Sequence, residues 1–249
     1  MDGLTIASLN LRFGIDPTTE QPYDVTAAID GLDADIVAVQ EVWRPKSGPA
    51  AHRVAAEQLG YHVVELALPR AHNRTSPPLV QARDGMHGTW WGVAVLSRTP
   101  VVDHSELAFR PIAFDAAERR ALVAAIELDD GNRLHVVTPH LTYRLWGSAS
   151  HLRSLARQVR QLRDHHTVLL GDFNMWGPPV GLALAGWSRP VRGRTWPANR
   201  PHSQIDHILV SPSLAASHGT VLPSVGSDHR PVRAVIRPHR DPARETLHR

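Results

Sequence analysis

The chain of 249 residues contains no cysteine. Disulfide frameworks and thiolate metal sites are therefore excluded. Lys46 is its one lysine, and every other Lys/Arg position is arginine. No apolar run approaches the roughly 20 residues that a membrane-spanning helix needs. The start, Met1-Asp2-Gly3-Leu4-Thr5-Ile6, lacks a basic segment followed by an apolar one, so no secretory leader is predicted. The expectation is a cytoplasmic protein. There is no internal repeat, no low-complexity tract and no basic run interleaved with aromatics, so no dedicated nucleic-acid patch stands out.

What is present is an ordinary globular composition, with 42% hydrophobic residues. The formal net charge is only +3 although the pI is about 9.9. Arginine's very high pKa lifts the pI even when charges nearly balance. A phosphate-bearing partner is compatible with this charge, but a solvated basic surface is the simpler reading.

Strand and helix patterns alternate along the whole chain. Strands are predicted at 4–10, 35–40, 61–66, 90–97, 101–107, 121–128, 133–137, 167–170, 205–210 and 231–236. The runs 90–97 and 101–107 read as a pair around Arg98-Thr99-Pro100. Asp129-Asp130-Gly131-Asn132 is a hairpin signal. Asp24 is placed to cap a helix over 24–32, and Gly60 to close one over 50–59. The longest predicted helix is 148–164. Leu152, Leu155, Val159 and Leu162 form its apolar stripe, with Arg153, Arg157, Arg160 and Arg163 mostly off it. Residues 68–88 read as a long surface loop. The sequence predicts one α/β domain over 1–237 and a polar, flexible tail over 238–249.

The predicted strand Thr167-Val168-Leu169-Leu170 ends in Gly171-Asp172-Phe173-Asn174. A buried strand that stops at a carboxylate and an amide brings two oxygen-bearing side chains to a rigid edge. Such an edge suits a hard cation or an aimed water molecule. Asn10, Glu41 and Asp206 stand at three further predicted strand ends, and Asp228 lies in Ser227-Asp228-His229-Arg230-Pro231. Oxygen donors favour Mg²⁺ or Mn²⁺ over Zn²⁺. His140 and His229 add proton transfer near neutral pH, and Asp206 is a candidate to orient one of these imidazoles. Metal, oriented water and imidazole together describe hydrolysis of a phosphate ester. That centre is anionic and repels hydroxide, so its charge must be neutralised before attack.

Each residue also has a plain reading. Asn10 and Gly171-Asp172 are good turn formers. Glu41 fits an exposed position after a buried strand, and Asp206 fits an ion pair with any nearby arginine. Arg119 and Arg120 are either solvated loop charges or contacts to a substrate phosphate. Of the 16 histidines, His52, His165, His166, His218, His239 and His248 have no motif around them and read as surface.

The strings Leu9-Asn10, Val39-Gln40-Glu41, Gly92–Arg98, Arg119-Arg120, His140-Leu141, Gly171-Asp172-Phe173-Asn174, Thr195-Trp196, Ile205–Leu209 and Ser227–Pro231 occur in one order over nearly the full length. This series resembles the endonuclease/exonuclease/phosphatase superfamily, the deoxyribonuclease I-like fold. The resemblance implies a four-layer α/β sandwich: two mixed β-sheets packed face to face, flanked by helices, with a metal site at one end. By the same resemblance Glu41 is the principal Mg²⁺ ligand, and Asn10 is a ligand or water-holder beside it. Asp228 is the further acid near the metal. Asp172 orients or activates the attacking water, and Asn174 fixes the phosphate or that water. His229, oriented by Asp206, contacts the scissile phosphate or acts as base, and His140 is the second imidazole. Two departures stand out. Thr138 is separated from His140 by Pro139, which bears on the placement of that histidine. His207 replaces the family's tyrosine in Ile205-Asp206-His207.

The resemblance leaves the ester open, because the superfamily handles DNA, RNA, lipid and small-molecule phosphates on one chemical core. Loops select the substrate. Residues 68–88, 142–148 and 176–202 are the candidates, the last rich in Trp and Arg. Arginines there suit a phosphate backbone and tryptophans suit base stacking. Exposed tryptophans equally suit a lipid headgroup layer. The sequence reading favours a nuclease, with a phosphatase or phosphodiesterase of small or lipid phosphates as alternative and a non-catalytic binding module disfavoured. No obligate protein partner is indicated.

Overall fold

The apolar runs resolve into two sheets in the computed structural model, which describes residues 3–45, 48–68, 90–115, 117–128 and 130–239. The first sheet holds β1 (Leu4–Asn10), β2 (Ile36–Arg44), β3 (His62–Ala67), β4 (Trp90–Ser97), β10 (Leu214–Val221) and β11 (Val232–Pro238), in the order β10-β11-β1-β2-β4-β3. The second runs in sequence order: β5 (Val101–Ala108), β6 (Arg120–Glu127), β7 (Arg133–Pro139), β8 (Thr167–Asp172) and β9 (Asp206–Val210). Both are mixed: β1–β2 and β7–β8 are parallel, the other pairs antiparallel.

Side chains alternate across a strand, and here both faces are covered. In β2, Ile36 and Ala38 point between the sheets, while Val37 and Val39 point outward. In β8, Val168 and Leu170 point inward and Leu169 outward. Continuous apolar runs are therefore required, and a fully buried Leu or Ile contributes about 1.5–3 kcal/mol.

The outer layers are helical. On the first sheet lie α1 (Val25–Asp30) and α2 (Ala51–Leu59), through Ile29 and Ala55 among others. Asp24 caps α1 by accepting from the Ala27 N–H at 2.9 Å, worth about 1 kcal/mol. Gly60 ends α2 in the left-handed region, φ 74°. On the second sheet lie α3 (Leu145–Gln158) and α4 (Gly177–Ala183), which bury Leu152, Leu155 and Val180. The predicted four-layer arrangement is the one observed.

Several local expectations are corrected. Strands β4 and β5 do not pair. Both edges of β4 are taken, by β2 and β3, so the turn after Ser97 carries the chain across to the second sheet. Helix α3 begins at Leu145 rather than Ser148, and its last turn, Val159–Leu162, is 3-10. Strand β10 and helix α4 were not foreseen. His52 is buried rather than exposed and bonds Glu65 Oε2 at 2.9 Å. The predicted loop lies outside the described residues apart from Leu68, which is buried. The predicted tail lies outside them from 240 onward, and 238–239 close β11 and its exit.

Candidate active site

Strand ends from both sheets meet at one edge of the sandwich. Asn10 is the last residue of β1, Asp172 the last of β8 and Asp206 the first of β9. Antiparallel pairing sets Asp172 opposite Asp206. The parallel β7 delivers His140 beside Asp172. A Cβ on Gly171 would lie 2.4 Å from the Pro139 carbonyl oxygen, so glycine is what lets β8 approach the end of β7. Pro139 does not displace His140, which is buried and lines the cleft.

Glu41 reaches the site through a β-bulge. Gln40 pairs with Val93 and Val42 with Gly92, which leaves Glu41 as the extra residue at φ 51°. A bulge of this kind re-aims a side chain. Arg12, Phe13 and Asn174 also have positive φ, at 44°, 58° and 46°. Such conformations cost about 1–3 kcal/mol each for non-glycine residues and persist where the surroundings enforce them.

Hydrogen bonds lock the groups together. Asn10 Nδ2 donates to Glu41 Oε1 at 3.2 Å and to Asp172 Oδ2 at 3.1 Å, and Asn10 Oδ1 accepts from the Arg12 N–H at 2.9 Å. The Asn174 N–H holds Asp172 Oδ1 at 2.8 Å, and Asn174 Nδ2 donates to the Leu141 carbonyl at 3.0 Å. His229 Nδ1 contacts Asp206 Oδ2 at 3.0 Å, while its Nε2 lies 3.9 Å from Asp172 Oδ2. His140 Nε2 lies 3.6 Å from Asp172 Oδ2 and 3.8 Å from Glu41 Oε1. Behind the site, buried Gln40 ties the sheets by donating to Thr138 Oγ1 at 3.0 Å.

Burial sets the charge states. It pushes the Asp172 carboxyl up to about 7 against the pull of His229, with Asp206 adding to the rise. Burial also raises Glu41, and Asp228 pushes the same way. Burial alone would depress His229, but the Asp206 charge and hydrogen bond prevail and lift it to about 10. His140 is driven well below its ordinary value by burial, Arg119 and His229. The site thus pairs a charged imidazole with a neutral one around a carboxyl poised near neutrality, the division of labour that acid–base catalysis needs.

The family model for the endonuclease/exonuclease/phosphatase family matches residues 7–229. The chain belongs to that family. Its members are phosphoester hydrolases, and the chain is such a hydrolase by family. An endonuclease/exonuclease/phosphatase from Beutenbergia cavernae superposes with a TM-score of 0.75 at 20% identity, over 96% of this chain and 72% of that one. A mannosyl-6-phosphatase from Bacteroides thetaiotaomicron gives 0.67 at 17% identity, over 94% and 99%. ANGEL2, described as a 2′,3′-cyclic phosphatase, gives 0.72 at 15% identity, over 96% of each chain. These identities speak for the fold alone. Comparison with curated proteins returned no match.

In this hydrolase of the family, Asn10, Glu41, His140, Asp172, Asn174, Asp206 and His229 gather at one place. Asp228 lies one step away. Its carboxylate accepts from Trp196 Nε1 at 3.4 Å and faces Arg12 Nε at 3.7 Å, on a neighbouring pocket. Arg119 and Arg120 part company at the start of β6, where Arg119 is the residue before the strand and Arg120 its first. Arg119 is buried, gripped bidentately by Asp115 (2.9–3.2 Å), and lines the cleft, and its Nη1 has no hydrogen-bond partner among the described residues. Arg120 does not line it and instead pairs with Glu106 and Glu118.

The cleft has a volume of about 600 Å³. Phe13, Trp91, Tyr143 and Trp196 give it aromatic walls that the sequence reading did not assign to the site. Trp91 stacks under the Arg119 guanidinium at 5.0 Å and meets His140 edge-on at 5.7 Å. Of the wall residues, Trp196 lies in the Thr195-Trp196 string and Tyr143 in the predicted loop 142–148, and strand alternation sends one of the adjacent Trp90-Trp91 pair inward.

Proposed function

We propose that this cleft hydrolyses a phosphodiester with the aid of a divalent cation, Mg²⁺ or Mn²⁺. The observation that carries the reading is the position of Asp172 Oδ2, 3.1 Å from the Asn10 amide and 3.6 and 3.9 Å from two imidazole nitrogens. The longer separations exceed hydrogen bonds and leave room for reacting atoms.

The donor set fits a hard cation. Glu41 is half-buried and Asp172 buried, and the ordinary acidity of both is suppressed, a state that added positive charge would relieve. Glu41 would hold the ion through oxygen, with Asp228 nearby, while Asp172 Oδ2 stays free to act on the water. Asp172, Asp206 and His229 also offer ligand atoms within 4.8 Å of one another. That alternative is weaker, since the His229 ring, which Asp206 holds charged, would have to give up a proton to bind the ion. When bound, the cation neutralises charge on the phosphoryl oxygens.

The chain's own groups supply the rest. Asp172 takes the proton of the attacking water, with Oδ1 fixed by Asn174 so that Oδ2 faces the cleft. Oxygen attacks phosphorus, the bond to the leaving oxygen breaks, and that oxygen takes its proton from His229 Nε2. Asp206 keeps His229 charged and oriented for this transfer. Neutral His140 and Nη1 of Arg119 offer N–H groups to the phosphoryl oxygens.

Nuclease action, the form favoured from sequence, drew on the Trp- and Arg-rich segment 176–202. In that segment Trp187 packs against the core and Arg189 donates to the Gly177 carbonyl at 2.8 Å. Trp176 faces solvent, and Trp196 reaches the cleft. Arg192, Arg194 and Arg200 of the segment are exposed, so a nucleic-acid diester and a smaller diester are both carried into the test.

The test is turnover of bis(p-nitrophenyl) phosphate, DNA, RNA and phospholipid vesicles, each with Mg²⁺ and with EDTA, beside Asp172→Asn. Cation-dependent release from at least one diester is expected, falling about 10²–10⁴-fold in the variant. Turnover that survives both EDTA and the variant would end the proposal.

A further inference from the structure

The outer face of the α3–α4 layer exposes apolar side chains that the fold does not need there. Trp146 is 88% exposed, Leu182 82%, Leu145 66% and Trp176 59%. Solvent-exposed side chains of this size are uncommon, and several on one layer mark a contact surface. Leu145 and Trp146 open α3, Trp176 is the residue before α4, and Leu182 is the last but one within it.

These residues border the cleft. Tyr143, which lines it, lies two residues before Leu145, and Asn174, which also lines it, lies two before Trp176. Arg144 is pinned in between, donating to the Phe114 carbonyl at 3.0 Å and stacking over Tyr143 at 4.7 Å.

The same layer is cationic. From Trp146, helical spacing leads to Arg153, Arg157 and Arg160, all exposed. Leu145 to Arg163 contains no acidic residue. A shallow groove between the helices is edged by these three arginines and by Ala183. Tryptophan and leucine at the boundary, with arginines beside them, is the composition of a surface that sits in an anionic lipid interface. A nucleic acid would use the arginines but would gain nothing from exposed Leu145 and Leu182.

We infer that the α3–α4 face docks on an anionic lipid bilayer and holds the cleft mouth against it, so that the phosphodiester is one presented at the membrane surface. The second half rests on the hydrolase reading above, and the first does not.

Binding is measured by flotation with phosphatidylcholine vesicles and with vesicles of phosphatidylcholine mixed with phosphatidylglycerol, in EDTA. The full chain is expected to bind the anionic vesicles and to be released by salt. Arg153→Gln/Arg157→Gln/Arg160→Gln should bind about 10–100-fold more weakly, and Trp146→Ala/Leu182→Ala about tenfold. Both variants should turn over bis(p-nitrophenyl) phosphate as the parent does, which shows that they are folded. Absent binding, equal binding to neutral vesicles, or variants that bind like the parent would overturn the inference. So would a dimer that dissociates on Trp146→Ala, or duplex DNA held by the arginines in place of vesicles. Vesicle binding without turnover of any diester would sink the hydrolase reading and leave the docking face standing.

Discussion

His229 Nδ1 lies 3.0 Å from Asp206 Oδ2, and both residues are buried. The pairing fixes which ring nitrogen faces Asp172 and keeps the imidazole charged. Asp206→Asn should remove that charge control and lower kcat about 10²–10⁴-fold. The alkaline limb of the pH–rate profile should also move. His229 is lifted to about 10 in the parent, so it stays protonated up to that pH, whereas in the variant activity should fall off near neutrality. Unchanged alkaline limbs would contradict the assigned role.

Cation binding should be linked to protons. Burial pushes Asp172 up to about 7 and raises Glu41 as well. Below about 7 a proton neutralises Asp172 beside the ion's place, and the raised Glu41 acts in the same direction. Affinity for Mg²⁺ or Mn²⁺ is therefore expected to rise with pH through neutrality, with proton release on binding. Titration calorimetry in two buffers of different ionisation enthalpy reads this directly, and a buffer-independent enthalpy would refute it.

Gly171→Ala places a methyl group 2.4 Å from the Pro139 carbonyl oxygen. Backbone must shift, and the shift falls on the neighbour, Asp172. A loss of about 1–3 kcal/mol in urea unfolding is expected, together with reduced activity in the fraction that stays folded. Stability and turnover equal to the parent would show that β7 and β8 are not closely apposed here.

Away from the site, Glu65 offers a test of the fold. Burial would raise its carboxyl, but hydrogen bonds from His52 and Arg53 prevail and hold it at about 2. A depressed pKa stabilises the folded state above the ordinary carboxyl range, and that contribution is lost as pH falls toward the folded value. Glu65→Gln should cost about 1–2 kcal/mol at pH 7, and the gap to the parent should narrow below about pH 4.5. A pH-independent gap would point to packing alone.

Much of this architecture is legible in the chain. Strands buried on both faces must be apolar without interruption, so β1, β2, β8 and β9 announce themselves. Helix ends carry local chemistry, as Asp24 and Gly60 show. The polar residues that end those strands are the ones the sandwich gathers, because neighbouring strands bring their ends to one edge. Other features depend on tertiary context. Sequence adjacency suggests that β4 pairs with β5, but only the assembled sheet reveals that β4 has no free edge. The mixed and half-exposed Leu214–Val221 lacks a clean period, and Gly177–Ala183 begins with Gly-Pro-Pro, so β10 and α4 leave little trace. Arg119 and Arg120 look alike in sequence, and only the assembled fold shows one held by Asp115 at the cleft and the other paired with Glu106.

Asn10 and Glu41 come from one sheet, while His140, Asp172 and Asp206 come from the other. Neither half alone can assemble the proposed centre, so on that proposal reactivity is expected only at the final docking of the sandwich. Nascent or partly unravelled chains should be inert, which makes specific activity a direct gauge of how much protein in a preparation has completed folding.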